Sequence, residues 1–253
     1  MGAMRLTGAI ALVTGGSSGI GAATARALAA VGARPLIAGR DGGRLDAVAR
    51  ETGGLALHAD LAAPDGAADL ACAALDAAGR VDLLVSNAGV GWAGPIGRLT
   101  AAKAQELVAV NLTAPIQLTA MLAPGMIARG SGRLVFVSSI AGNTGVRGEA
   151  AYAASKAGLG NFAESLAYEL DGCGVGVSLV VPGVVDTPFF ERRGAPYHRG
   201  RPAPISAERV ADAIVAAADQ DRRVVFVPRW MSVPAWLHDA APAAFRLLAS
   251  RFG

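Results

Sequence analysis

The most restrictive feature of this chain lies near its N-terminal end, where an apolar run leads straight into a turn crowded with glycine. Residues 10–14 (Ile-Ala-Leu-Val-Thr) are followed by Gly15-Gly16-Ser17-Ser18-Gly19-Ile20-Gly21, and then by an alanine-rich segment. A strand turning through glycines into a helix leaves backbone N–H groups uncovered at the positive end of the helix dipole. Glycines also let the backbone approach a pyrophosphate closely. The spacing is G-x-x-x-G-x-G, whereas the usual dinucleotide fingerprint is G-x-G-x-x-G. A glycine cluster alone also suits an ordinary strand–helix turn. Its place at the first strand–helix junction favours a phosphate-binding turn built from Gly15, Ser17, Ser18, Gly19, Ile20 and Gly21.

The rest of the chain repeats that alternation. Short aliphatic runs at 10–14, 35–39, 55–59, 83–86, 134–138, 176–181 and 224–227 read as strands. Longer segments near 19–31, 43–52, 65–78, 101–129, 152–171 and 207–218 read as helices. Strands that are apolar throughout belong to a parallel sheet covered by helices on both faces, which makes the fold class α/β. Pro115 interrupts the longest helical segment and predicts a kink or two helices there. The 253 residues suit a single domain, with a loop at about 186–204, rich in Gly, Pro and Arg, and a tail from about 229 to 253.

Composition excludes several function classes. No segment reads as apolar enough to span a membrane, and no secretory signal precedes the first strand, so a soluble cytoplasmic protein is expected. The formal charge is +3, but the basic residues are scattered, only two of them are lysines, and aromatics make up 5% of the chain. Nucleic acid is therefore not an expected partner. Cys72 and Cys173 sit near no other cysteine or histidine, so neither a disulfide framework nor a metal site is expected. Residues 1–3 precede a second methionine, Met4, which could be the native start.

The end of the second strand bears on cofactor choice. A carboxylate there hydrogen-bonds the ribose 2′-hydroxyl of NAD, whereas an arginine accommodates the 2′-phosphate of NADP. Here the strand ends Ala38-Gly39-Arg40, which favours NADP(H). The less favoured reading of Arg40 is a solvated turn residue, and Asp41 could either pair with it or repel the phosphate.

Tyr152 and Lys156 stand at i and i+4, on one face of a predicted helix. An ammonium beside the phenol, together with an oxidised nicotinamide ring, would bring the tyrosine pKa down toward working pH. Ser139, at the end of the fifth strand, offers a hydroxyl to a carbonyl oxygen. A Y-x-x-x-K pair is common on helices, and a serine at a strand end is ordinarily a turn former. The combination is more specific than either.

With these motifs in order, the chain resembles the short-chain dehydrogenase/reductase family over nearly its whole length. Matching positions are Thr14–Gly21, Asp60-Leu61, Asn87-Ala88-Gly89, Asn111, Ser139, Tyr152, Lys156, Pro182-Gly183 and Thr187. Ser86, where many relatives have asparagine, and Pro115 depart from the pattern. The resemblance implies a Rossmann-type, doubly wound, seven-stranded parallel sheet of order 3-2-1-4-5-6-7 in a three-layer α/β/α sandwich. By the same resemblance Tyr152 would exchange a proton with the substrate oxygen, Ser139 would orient it, and Lys156 would hold the nicotinamide ribose. Asn111 would complete a water-linked proton path. Arg40, with Ser17, would bind the 2′-phosphate and Asp60 the adenine. Asn87, Ala88, Gly89, Leu61, Pro182, Gly183, Val185 and Thr187 would line the cofactor.

The activity implied is NADP(H)-dependent reduction of a carbonyl, or oxidation of the matching secondary alcohol. An alternative is a 3-oxoacyl-(acyl-carrier-protein) reductase, for which Arg129, Arg133, Arg192, Arg193, Arg199 and Arg201 could form a basic docking surface. A different class is a nucleotide-binding sensor without catalysis, which would have no need of Ser139, Tyr152 and Lys156 together. A homodimer or homotetramer is implied, pairing through the 101–129 and 152–171 segments, with Ala163, Leu166 and Ala167 as candidate contacts. The tail concentrates Trp230, Trp236, Phe245 and Phe252. Such apolar area predicts packing against the same subunit or a neighbour, ahead of a lid with Phe189 and Phe190 or a membrane contact.

Overall fold

The computed structural model describes residues 4–197 and 202–252, with side chains to residue 247. Residues 1–3, Arg199 and Arg201, and the side chains of Arg251 and Phe252 fall outside that description.

Seven parallel strands, β1 (Ile10–Thr14), β2 (Arg34–Gly39), β3 (Leu55–His58), β4 (Leu83–Ser86), β5 (Gly132–Val137), β6 (Val175–Pro182) and β7 (Val224–Val227), form one sheet. Its order is β3-β2-β1-β4-β5-β6-β7, as the resemblance implies. The helices are α1 (Gly19–Ala30), α2 (Gly42–Thr52), α3 (Gly66–Ala78), α4 (Ala101–Val108), α5 (Ala114–Arg129), α6 (Ile140–Thr144), α7 (Ala150–Glu169), α8 (Phe189–Arg192), α9 (Ala207–Gln220), α10 (Ser232–Ala240) and α11 (Pro242–Phe252).

The strand period divides the apolar residues between two cores. Ile10 and Leu12 face α3, α5 and α7, where they meet Leu70, Leu118 and Leu159. Ala11 and Val13 face the other way, toward Leu28 of α1 and Val210 and Ile214 of α9. Every residue of β1 is buried because both faces are covered. The edge strands β3 and β7 are partly exposed.

Just before Pro115 the run divides into two α-helices, one of the two outcomes expected. A five-residue π turn, Ala109–Thr113, joins α4 to α5. Proline has no N–H to give to the Asn111 carbonyl four residues earlier, so the ladder widens and the Ala114 N–H bonds Ala109 O. Expectation also needs correcting on hydropathy: the 101–129 run is long and apolar enough to cross a membrane, with a mean hydropathy of 1.4. Half of that window is buried inside the protein, where its side chains complete the α3–α5 face of the core.

Candidate active site

The sheet order reverses between β1 and β4, and the loops beyond the strands' carboxyl ends diverge there to leave a crevice. A cleft of ≈ 810 Å³ opens at that point. Its floor is tied together by Thr14, whose Oγ1 accepts from the Asn87 and Ala88 N–H groups, both at 3.0 Å. Asn87 Nδ2 donates back to Thr14 O at 2.9 Å. Gly15 turns at φ +67, and a Cβ on Gly21 would lie 2.2 Å from Gly15 O. The turn closes this tightly only because both positions lack side chains.

Eighteen side chains and backbones singled out from sequence form this wall together: Gly15, Ser17, Ser18, Gly19, Ile20, Arg40, Asp60, Leu61, Asn87, Ala88, Gly89, Ser139, Tyr152, Lys156, Pro182, Gly183, Val185 and Thr187. Gly21 and Asn111 stand behind it. Gly21 serves the turn packing just described. Asn111 is fully buried; its Oδ1 accepts from Val90 N and its Nδ2 donates to Val90 O and Ser155 Oγ. Its side chain therefore braces the loop after β4 against α7.

At the arginine-lined end of the cleft the role of Asp41 resolves. Its carboxylate caps α2 by accepting from Arg44 N at 3.0 Å, and it pairs with the Arg44 guanidinium at 2.6 Å. The Arg44 backbone N–H holds the Asp41 carboxyl below its usual range. Arg40 keeps only a 3.8 Å approach to Asp60. Two further arginines line the cleft wall: Arg44, not singled out from sequence, and Arg192, expected on a docking surface instead. Arg44 was legible as a second cation four residues after Arg40, whereas nothing local marks Arg192.

At the other end, Ser139 follows β5 and caps α6, accepting from Ala141 N at 3.2 Å. Ser139 faces the Tyr152 phenol as a hydrogen-bonding neighbour that favours its ionised form. Lys156 is 4% exposed, and its Nζ donates to Val137 O at 2.9 Å. Ser138 Oγ donates to Lys156 O, pinning the start of α7 to the end of β5. The expected lowering of the tyrosine pKa does not arise from the protein's own groups. Burial pushes Tyr152 up to about 12 against the Ser139 hydrogen bond, and pushes Lys156 down to about 8. Desolvation disfavours each charged form, and Lys156 spends a donor on a carbonyl. At neutral pH the phenol holds its proton.

The late loop folds over this end. Phe189 stacks 5.5 Å from Tyr152, Phe190 5.6 Å from Phe189, and Tyr197 5.4 Å from Phe190. Arg193 lies over Phe190 at 4.5 Å and forms a nearly buried ion pair with Glu149. Val90, Val146 and Met231 add apolar wall. Among the described residues, the arginines considered for a basic surface do not gather on one. Arg133 is 2% exposed, donates to Ala218 O and pairs with Asp221. Arg129 donates to Val81 O, while Arg192 and Arg193 line the cleft. Of the tail, Met231 and Ala235 are buried, while Trp230 and Trp236 are exposed, at 54% and 68%. The tail thus packs on its own subunit through one side, and Met231 is its contribution to the cleft.

Comparison with known proteins agrees with this geometry. Residues 9–197 match the short chain dehydrogenase family model. The chain is 36% identical over 231 residues to the ketoacyl reductase HetN of Nostoc sp., covering 88% of this chain and 79% of that protein. It is 37% identical over 196 residues to a 3-oxoacyl-(acyl-carrier-protein) reductase of Synechocystis sp., covering 75% and 79%. Among solved structures, a short-chain dehydrogenase from Sphingobium yanoikuyae in complex with NADPH superposes with a TM-score of 0.83, at 31% identity over 96% of this chain and 95% of that one. The sheet order, the glycine turn, the Ser139–Tyr152–Lys156 wall and these matches lead to one assignment: the chain belongs to the short-chain dehydrogenase/reductase family of oxidoreductases.

Proposed function

We propose that the protein is an NADP(H)-dependent carbonyl reductase in which Tyr152 is the proton donor. The observation that carries this is the placing of Ser139, Tyr152 and Lys156 together in the wall of an apolar, aromatic pocket, at one end of a cleft whose other end is cationic. The cleft fits the cofactor: a side-chain-free turn at a helix N-terminus suits pyrophosphate, and Arg40 beside Ser17 suits a 2′-phosphate. When bound, NADPH supplies the hydride. Ser139 would orient the carbonyl oxygen, and Tyr152, protonated at neutral pH, would give its proton to the oxygen as negative charge develops there. Lys156 would offer its remaining N–H groups to the ribose. Asn111 would hold the loop that supports the ring.

A complete Ser139–Tyr152–Lys156 set favours catalysis over a binding-only role. Both curated relatives described above are named as ketoacyl reductases, which favours a β-ketoacyl compound as a second substrate reading. A carrier-protein docking face built from the arginines considered earlier gains no support, since Arg133 is interior and Arg193 is paired.

Because β2 ends at Gly39 and Arg40 follows it, NADPH is expected to bind at least tenfold more tightly than NADH in fluorescence titrations. Arg40→Asp should reverse that order. Equal affinities in the wild type would refute the NADP assignment. A screen of carbonyl compounds following NADPH absorbance tests the activity.

Assembly is also proposed. Leu166 and Ala163 are buried against the sheet, so they are not contact residues. Val108, Ile116, Met121, Ile127 and Tyr168 on α4, α5 and α7 are exposed instead. Light scattering at micromolar concentration should give a mass at least twice 25.4 kDa. A monomer would rule out a stable pairing through these helices.

A further inference from the structure

The short helix α8 carries two adjacent arginines with opposite circumstances. Arg193 turns toward the substrate end, where Glu149 answers its charge. Arg192 turns toward the cofactor end. Its Nη2 donates to Ser18 Oγ at 3.1 Å and its Nε to Pro188 O at 3.2 Å. Among the described residues no carboxylate lies within ion-pairing distance of it. The charges it feels most are Arg44 and Arg40, two further cations of the same wall.

Three guanidiniums thus converge on one end of the cleft. Asp41 answers Arg44 at 2.6 Å, and Asp60 approaches Arg40 at 3.8 Å. Glu191 offsets the Arg192 charge from nearby without forming an ion pair, so Arg192 is the guanidinium of the three with no carboxylate in contact. Converging like charges are unfavourable unless an anion joins them. Ser18, the Arg192 partner, is the N-cap of α1, and its side chain makes no capping bond. Its hydroxyl and the helix start face the same space as the Arg192 fork. A phosphate there would receive bidentate, charge-assisted donors from Arg192.

We infer that Arg192 is a ligand for a phosphate of the bound dinucleotide, so that the cofactor itself anchors the helix walling the substrate pocket. This rests on the NADP(H) reading above. The same four residues carry Phe189, which stacks on Tyr152. Binding at the adenosine end and closure of the aromatic wall are therefore coupled through one rigid turn of helix. By linkage, whatever steadies that wall tightens the cofactor by the same factor.

The test is titration of wild type, Arg192→Ala and Arg192→Gln with NADPH and with NADH, read by protein fluorescence and calorimetry, with Tm measured alongside. Loss of a charge-assisted bidentate contact should raise Kd about tenfold or more. A rise for NADPH alone assigns the ligand to the 2′-phosphate, and a matching rise for NADH assigns it to the pyrophosphate; either supports the inference. Should Arg192→Ala lower Tm, Arg192→Gln decides, since it keeps hydrogen-bonding reach without the charge: weakened binding at native Tm supports the assignment. Kd values equal to wild type in both variants overturn it. A wild type that binds neither dinucleotide sinks the cofactor reading itself, and with it this inference.

Discussion

Tyr152→Phe is expected to lower turnover on a good carbonyl substrate by on the order of 10²–10⁴ while leaving the protein folded and able to bind cofactor. The substitution removes one oxygen. The ring is retained, so its packing against Phe189 at 5.5 Å is preserved. Burial holds the phenol near a pKa of about 12, so at pH 7 it is neutral and its loss removes no charge. Stability should change little, since one hydrogen bond of the phenol is worth only about 0.5–1.5 kcal/mol. Steady-state assay of turnover, with NADPH titration as the control, measures both. Near-normal turnover would mean that another group donates the proton, and the proposed mechanism would be wrong.

Lys156→Met should move activity and stability in opposite directions. Burial lowers the lysine from its ordinary 10.5 to about 8. Between those values the folded protein holds fewer protons at this site than the unfolded chain. The cost of burying the ammonium is therefore full below about pH 8 and fades as pH rises toward 10.5. Methionine fills similar volume without a charge. Allowing for the lost hydrogen bond to Val137 O, a gain on the order of 1–3 kcal/mol is expected at pH 7. That corresponds to a Tm rise of roughly 2–12 °C for a domain of this size. The gain should shrink as pH is raised above 8. Turnover should fall by on the order of 10² or more, because the donor proposed for the ribose and for support of Tyr152 is gone. Thermal melts across pH 6–10 provide the check. An unchanged or lowered Tm at pH 7 would show that the buried cation is not a burden on the fold.

A residue expected to burden stability, yet placed beside the proposed acid, is what a functional constraint looks like. The apolar surroundings that raise Tyr152 and lower Lys156 are the same surroundings that would keep water from the reacting carbonyl. Arg193 and Glu149 make the complementary case. Their pair is nearly buried and holds α8 down, and its worth depends on both partners being present.

The sequence by itself determined the parts whose physics is local. Alternating aliphatic and alanine-rich segments demanded a covered parallel sheet, and the order of the strands followed from the resemblance. Glycines at 15 and 21 specified a tight turn at a helix start, and Tyr152 and Lys156 shared a face by helical period. Tertiary structure alone decided which charges are answered and which side chains are dry. Arg133 looked like surface and is interior, because Asp221 and the Ala218 carbonyl meet it from distant elements. Asp41 looked like a rival for phosphate and is occupied by Arg44. Arg192 lies 174 residues from Ser18 in the chain and meets it across the cleft. The phenol of Tyr152 stays protonated because desolvation outweighs its hydrogen bond. Burial and charge pairing are sums over neighbours brought together by the whole fold, and no window of sequence contains those neighbours.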